Sequence, residues 1–229
     1  MTEYTAKRAR TRAQLLAAGQ DLLPGSIRRG LEHALGPGPV TQRAEVSRQT
    51  WYRYWRADNT GYLDELLSVA LDTVSFLLDR RLSDIVARTG RSRDALGALA
   101  RAHFALLTQR RIAIPALTGV MLALEDRVLE QEQNLRPTAA PAIAREYTRR
   151  VTEAVGRAYG EVLSRDGRVP ADHSDLGGFV DLLIALGDGY ALRQLAAPEP
   201  GADEGFAQIV VDLCEQLTVP APAHAATGS

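Results

Sequence analysis

Cysteine is almost missing from this chain: Cys214 is the single one among 229 residues, so no intrachain disulfide can form. It stands in the apolar run Ile209-Val-Val-Asp-Leu-Cys214 and reads as a small core residue. Lysine is as scarce, with Lys7 alone, which excludes a Walker-type phosphate loop. The histidines at 33, 103, 173 and 224 are scattered, without His-x-x-x-His or Glu-x-x-His spacing, and none pairs with the cysteine at zinc spacing. Gly187-Asp-Gly189 lacks the third glycine and the preceding strand of a nucleotide fingerprint. Asp172-His-Ser-Asp175 holds the letters of a hydrolase triad, but adjacent residues cannot face one another as a triad requires. No enzyme activity, cofactor or metal is therefore expected. No run of about 18 apolar residues occurs, so no transmembrane helix and no membrane partner are expected. The start, Met1-Thr-Glu-Tyr-Thr-Ala-Lys-Arg, continues into Arg10-Thr-Arg12 rather than an apolar stretch, which points away from a secretory signal and toward the cytoplasm.

What is present is helical. Hydrophobic residues make up 45 % of the chain, enough for a real core. Their spacing is mostly three and four, and Gly and Pro fall at helix breaks. Helices are predicted over Thr5–Leu23, Ile27–Leu35, Val46–Arg56, Gly61–Arg88, Arg93–Gln109, Ala116–Asn134, Ala139–Arg165, Ser174–Ala196 and Glu204–Leu217. Gly36-Pro-Gly-Pro39 should stop the second of these, and the tail from Val219 should be disordered.

Charge is uneven. Residues 1–60 hold ten Lys/Arg and five Asp/Glu, a net of +5, which leaves −6 for the remainder. A basic head on an acidic body suits a polyanion for the head alone. The organisation expected is a head over 1–60, a helical body over 61–218 and a tail over 219–229.

The informative stretch is Ala44-Glu-Val-Ser-Arg-Gln-Thr-Trp-Tyr-Arg-Tyr-Trp55. At about 100° per residue, Arg48, Tyr52, Arg56, Gln49 and Arg53 share one side of a helix. Ser47, Thr50, Trp51, Tyr54 and Trp55 share the other, where the indoles can anchor it. Ser47 stands as N-cap. Arg bonds guanine and Gln bonds adenine in bidentate fashion, and hydroxyls of Ser47, Thr50, Tyr52 and Tyr54 can bond phosphates. The alternative is an amphipathic helix with a solvated Arg face.

Val46-Ser47-Arg48-Gln49-Thr50-Trp51-Tyr52-Arg53-Tyr54-Trp55 resembles the recognition-helix signature of the TetR family of transcriptional regulators. Chain length, the motif's place in the first 60 residues and the long following helix resemble that family too. The resemblance implies an all-α fold: an N-terminal helix-turn-helix three-helix head plus a C-terminal helical bundle for ligand binding and dimerisation. It implies a homodimer on a palindromic site in double-stranded DNA, released by a small apolar ligand. Thr50, Tyr52 and Tyr54 match phosphate-contacting positions, Arg48 and Gln49 base-reading ones, and Trp51 and Trp55 the apolar anchors. Lys7, Arg8 and Arg10 match a basic arm reaching the DNA backbone. Where the family has Ala-Gly before Val-Ser, this chain has Ala44-Glu45, and a glutamate disfavours the positive φ of that turn. By spacing the preceding helix should cover about Gly36–Ala44, but Pro37, Gly38 and Pro39 fall in that stretch, so it is either shortened to Val40–Ala44 or replaced by Ile27–Leu35 with a long turn, the second being preferred.

In the body, the resemblance implies a dimer interface on the last two helices. Gly178, Leu182, Ala185, Leu186, Gly189, Leu192, Phe206, Val210 and Leu213 are the candidates, with Gly187 and Ala191 also small enough for close approach. Pocket candidates are His103, Phe104, Leu107, Met121, Leu124, Tyr147 and Tyr159, which mix apolar area with a few polar groups. Every one of these also has an ordinary reading as core. A rival reading of the whole is a dimeric binding module whose head no longer reads DNA.

Overall fold

The computed structural model describes residues 26–55, 60–89, 93–131, 138–171 and 176–221. Among these, the chain is all-α: nine helices and one short pair of strands. The helices are α1 (Ser26–Ala34), α2 (Pro37–Arg43), α3 (Arg48–Tyr54), α4 (Thr60–Arg88), α5 (Arg93–Leu107), α6 (Arg110–Gln131), α7 (Ala140–Arg165), α8 (Leu176–Ala196) and α9 (Ala202–Leu217). No helix among the described residues is long and apolar enough to cross a membrane. The helix expected over Thr5–Leu23 lies outside the described residues.

Two compact units divide the chain, one within Met1–Ala70 and Leu117–Arg145, the other within Leu71–Ala116 and Glu146–Ser229. Neither follows the chain in one piece, unlike the division at residue 60 expected from sequence.

In the first unit, α1 begins under a carboxylate. Glu125 of α6 accepts the backbone N–H of Ile27 and of Arg28, each at 2.9 Å. These are groups that a helix start leaves without an internal partner.

The second unit has the larger core. Leu78 and Leu82 of α4, Leu99 of α5, Val155 and Tyr159 of α7, Leu183 of α8 and Phe206 of α9 are all at most 1 % exposed. Helices α4 and α7 run parallel in this unit, as pairs seven apart show: Asp72 with Arg150 at 2.6 Å and Asp79 with Arg157 at 2.7 Å. Exposed pairs of this kind add little stability. Further along, Arg165 donates to the carbonyls of Val86 (2.6 Å) and Thr89 (3.1 Å), closing the end of α4.

Two boundaries differ from expectation. Helix α6 starts at Arg110 and runs through Pro115 rather than beginning after it. Pro115 is its sixth residue, past the first turn, so the helix forgoes the hydrogen bond to the carbonyl of Arg111 there. The tail does not lose order at Val219. Thr218–Pro220 pairs antiparallel with Arg168–Pro170, and Ala221 donates to the carbonyl of Gly167 at 2.7 Å. Arg168 fastens the pair by donating to Thr218 Oγ1 at 2.7 Å.

Candidate nucleic-acid interface

Helices α2 and α3 belong to the first unit. Gly36-Pro-Gly-Pro39 follows the end of α1 at Ala34, as expected, and also starts α2. Gly36 is its N-cap and the prolines fall in the first turn, where a missing N–H costs nothing. Neither sequence alternative describes this helix. It starts at Pro37, before the expected Val40, and α1 does not take its place. Thr41 is buried, and its hydroxyl donates to the carbonyl of Pro37 at 2.5 Å, with Gly38 O at 3.3 Å.

The turn after α2 depends on Glu45, whose φ is +56°. Its N–H donates to Gln42 O at 3.3 Å, and the N–H of Val46 donates to Thr41 O at 3.0 Å. That is the Schellman pattern, in which the left-handed position is usually glycine. A glutamate disfavours a positive φ, yet the chain adopts it there, because the two closing hydrogen bonds offset a steric cost of about 1 kcal/mol.

Ser47 is the N-cap of α3, as its sequence position suggests. Its Oγ accepts the N–H of Thr50 at 3.2 Å and lies 3.1 Å from the Thr50 hydroxyl. Trp51 is 2 % exposed, its ring 4.2 Å from Tyr62 and 4.9 Å from Trp55. Trp55 is half-buried and donates through Nε1 to Glu65 at 2.9 Å. Burial in this cluster raises the Tyr62 pKa. Outward, Arg48, Gln49 and Arg53 are exposed, Tyr52 and Tyr54 are half or more exposed, and Thr50 is half-buried. The wheel put Tyr54 with the anchors, yet it stands in solvent. The Arg48 guanidinium lies back over α2, so close to Gly38 that a Cβ there would sit 3.3 Å from its nitrogen. Lys7, Arg8, Arg10 and Arg56 lie outside the described residues.

One basic residue of the head is not available to a polyanion. Arg28 donates to Asp126 at 2.8 Å and 3.3 Å and lies 3.7 Å from Asp64. Sequence spacing does not reveal this group, because Glu125-Asp126 stands in a helix that also carries Arg110, Arg111, Arg127 and Glu130.

The pocket candidates do not share one environment. His103, Phe104 and Tyr159 are buried together in the second unit, and Leu107 and Tyr147 are partly buried. Met121 (46 % exposed) and Leu124 (51 %) belong to the first unit and face solvent. Around Phe206 the rings of Phe104 and His103 lie at 5.2 Å and 6.4 Å, and His103 is 6.1 Å from Tyr159. His103 Nδ1 and the Tyr159 hydroxyl are buried with no hydrogen-bond partner among the described residues. Burial drives the His103 pKa down to about 4 and the Tyr159 pKa up. Tyr147 is pushed up to about 12 by burial and then by the charge of Asp188. Gly187 lets α8 approach here: a Cβ on it would stand 3.0 Å from Leu107 and 3.7 Å from His103. A surface hollow of about 260 Å³ in the same unit, lined by Arg81, Asp84, Arg88 and Gln109 among others, takes in none of the candidates.

Along α8, Gly178, Leu182, Ala185, Gly189 and Leu192 are exposed at alternating spacings of four and three, and Leu186 and Leu213 are half-buried. Phe206 and Val210 are 0 % exposed and belong to the chain's own core, as do Gly187 and Ala191, so these four offer no surface to a second chain. Sequence spacing puts Phe206 and Val210 on one face with Leu213, but α9 lies against α5, which buries these two.

No protein-family model, curated protein or solved structure matches the chain.

Proposed function

We propose that this chain is a homodimeric, ligand-responsive transcriptional regulator of the TetR type, most simply a repressor, that binds a palindromic operator. The observation that carries the reading is α3. It is a Ser47-capped helix, set by a tight turn against α2, with Trp51 inward, Gln49, Tyr52 and Arg53 outward, and Arg48 exposed but folded back beside Gly38. Such a helix suits the major groove, where Arg48 and Gln49 would reach base edges and Tyr52 a phosphate. The exposed stripe of α8 is the surface we assign to the second copy. Two heads one helical turn of DNA apart would then read a two-fold site. The ligand of the second unit would act by its different affinity for the two head spacings.

The test is selection from randomised duplex DNA with the full chain, beside Tyr52→Phe and Arg48→Ala. A palindromic motif is expected, weakened by Tyr52→Phe and relaxed at one position by Arg48→Ala. Binding should also fall steeply with salt. Recovery of no motif at low salt would sink the reading. The exposed carboxylate of Glu45, in the turn beside α3, is the feature that favours the rival of a head that does not read DNA.

A further inference from the structure

Four helices of the first unit meet at one buried group of charges. Glu125 and Asp126 of α6 are 6 % and 4 % exposed. Buried carboxylates are costly unless their oxygens are engaged. Both oxygens of Glu125 are taken by the first N–H groups of α1, at 2.9 Å each, where the carboxylate also meets the positive end of the helix dipole. Asp126 holds the Arg28 guanidinium at 2.8 Å and accepts the Thr138 hydroxyl. Asp64 of α4 stands 3.7 Å from Arg28 and accepts the N–H of Ala139 at 3.1 Å, at the start of α7. Asp126 and Asp64 thus face one guanidinium, and Glu125 and Asp64 engage the starts of two helices.

Resting on the reading of α3 given above, we propose that Glu125, Asp126 and Arg28 are positioning residues for the nucleic-acid face. Only Leu35 and Gly36 separate α1 from α2, and the Schellman turn sets α3 on α2. Fixing the start of α1 on α6 therefore fixes where the pair α2–α3 stands. These residues act through α1 and touch no base or phosphate.

The experiment uses the full chain with Glu125→Ala and Glu125→Gln, on the operator fragment recovered by selection and by hydrogen exchange. Glu125→Ala should weaken operator binding about tenfold or more while the selected motif stays the same. Glu125→Gln keeps one acceptor oxygen and should lose clearly less, and it carries the test if the alanine variant fails to fold. Exchange should quicken at Ile27 and Arg28 and across α2–α3, with α9 unchanged. Quickened exchange at Ile27 and Arg28 with wild-type operator affinity and unchanged exchange in α2–α3 overturns the proposal. Should the wild type select no duplex, the DNA reading fails separately. Exchange in α2–α3 then decides alone: quickened, it supports the positioning role; unchanged, it overturns it.

Discussion

Helices α2 and α3, seven residues each, bury one large side chain between them, Trp51, and are closed at their ends by hydrogen bonds. Helices α8 and α9, of 21 and 16 residues, bury Phe179, Val180, Leu183, Phe206, Val210 and more. Seven-residue helices are marginal by themselves. Their geometry comes from the Ser47 cap, the Schellman turn and one aromatic cluster. The longer helices owe theirs to apolar area removed from water. Local chemistry therefore governs the candidate interface, and packing governs the second unit.

The largest break in this contrast is expected at Phe206→Ala. Removing a fully buried ring should cost about 3–5 kcal/mol, read as a lower urea midpoint. Next comes acid. With His103 held near 4 by burial, below its ordinary 6.5, the unfolded chain binds more protons between those values. Stability is then complete above about pH 6.5 and falls as pH drops toward 4, by about 3 kcal/mol from this group. His103→Leu should flatten that part of the profile in urea titrations at several pH values, and an unchanged slope would place the acid sensitivity elsewhere. In the α2–α3 pair the effects shrink. Ser47→Ala should cost about 1 kcal/mol of local stability, seen as faster exchange at the Thr50 amide. Smallest and opposite in sign, Glu45→Gly should stabilise the turn by about 0.5–1 kcal/mol. A loss in thermal melts of that variant would mean that the glutamate side chain has a partner that matters.

The contrast also explains what was legible in the sequence. Long periodic helices, the Ser47 cap and the inward Trp51 follow from rules that act within a few residues. Helix α2 was misread because Gly36-Pro-Gly-Pro39 looks like a terminator, although prolines are as much at home in a first turn. Glu45 was misread because its conformation depends on two hydrogen bonds that close only when α2 exists. Phe206 and Val210 have the spacing of an outward face, and only the position of α5 makes them core. The group around Arg28 joins residues nearly a hundred positions apart, and nothing local marks such a meeting.

Both tryptophans of the chain, Trp51 and Trp55, stand in one ring cluster with Tyr62 beside α3, and the second unit has none. Indole emission is therefore a built-in optical reporter of the candidate interface. A fluorescence change on adding DNA reads the region where contact is proposed. A change on adding a small molecule that binds the second unit would register only what reaches the first, with no label attached.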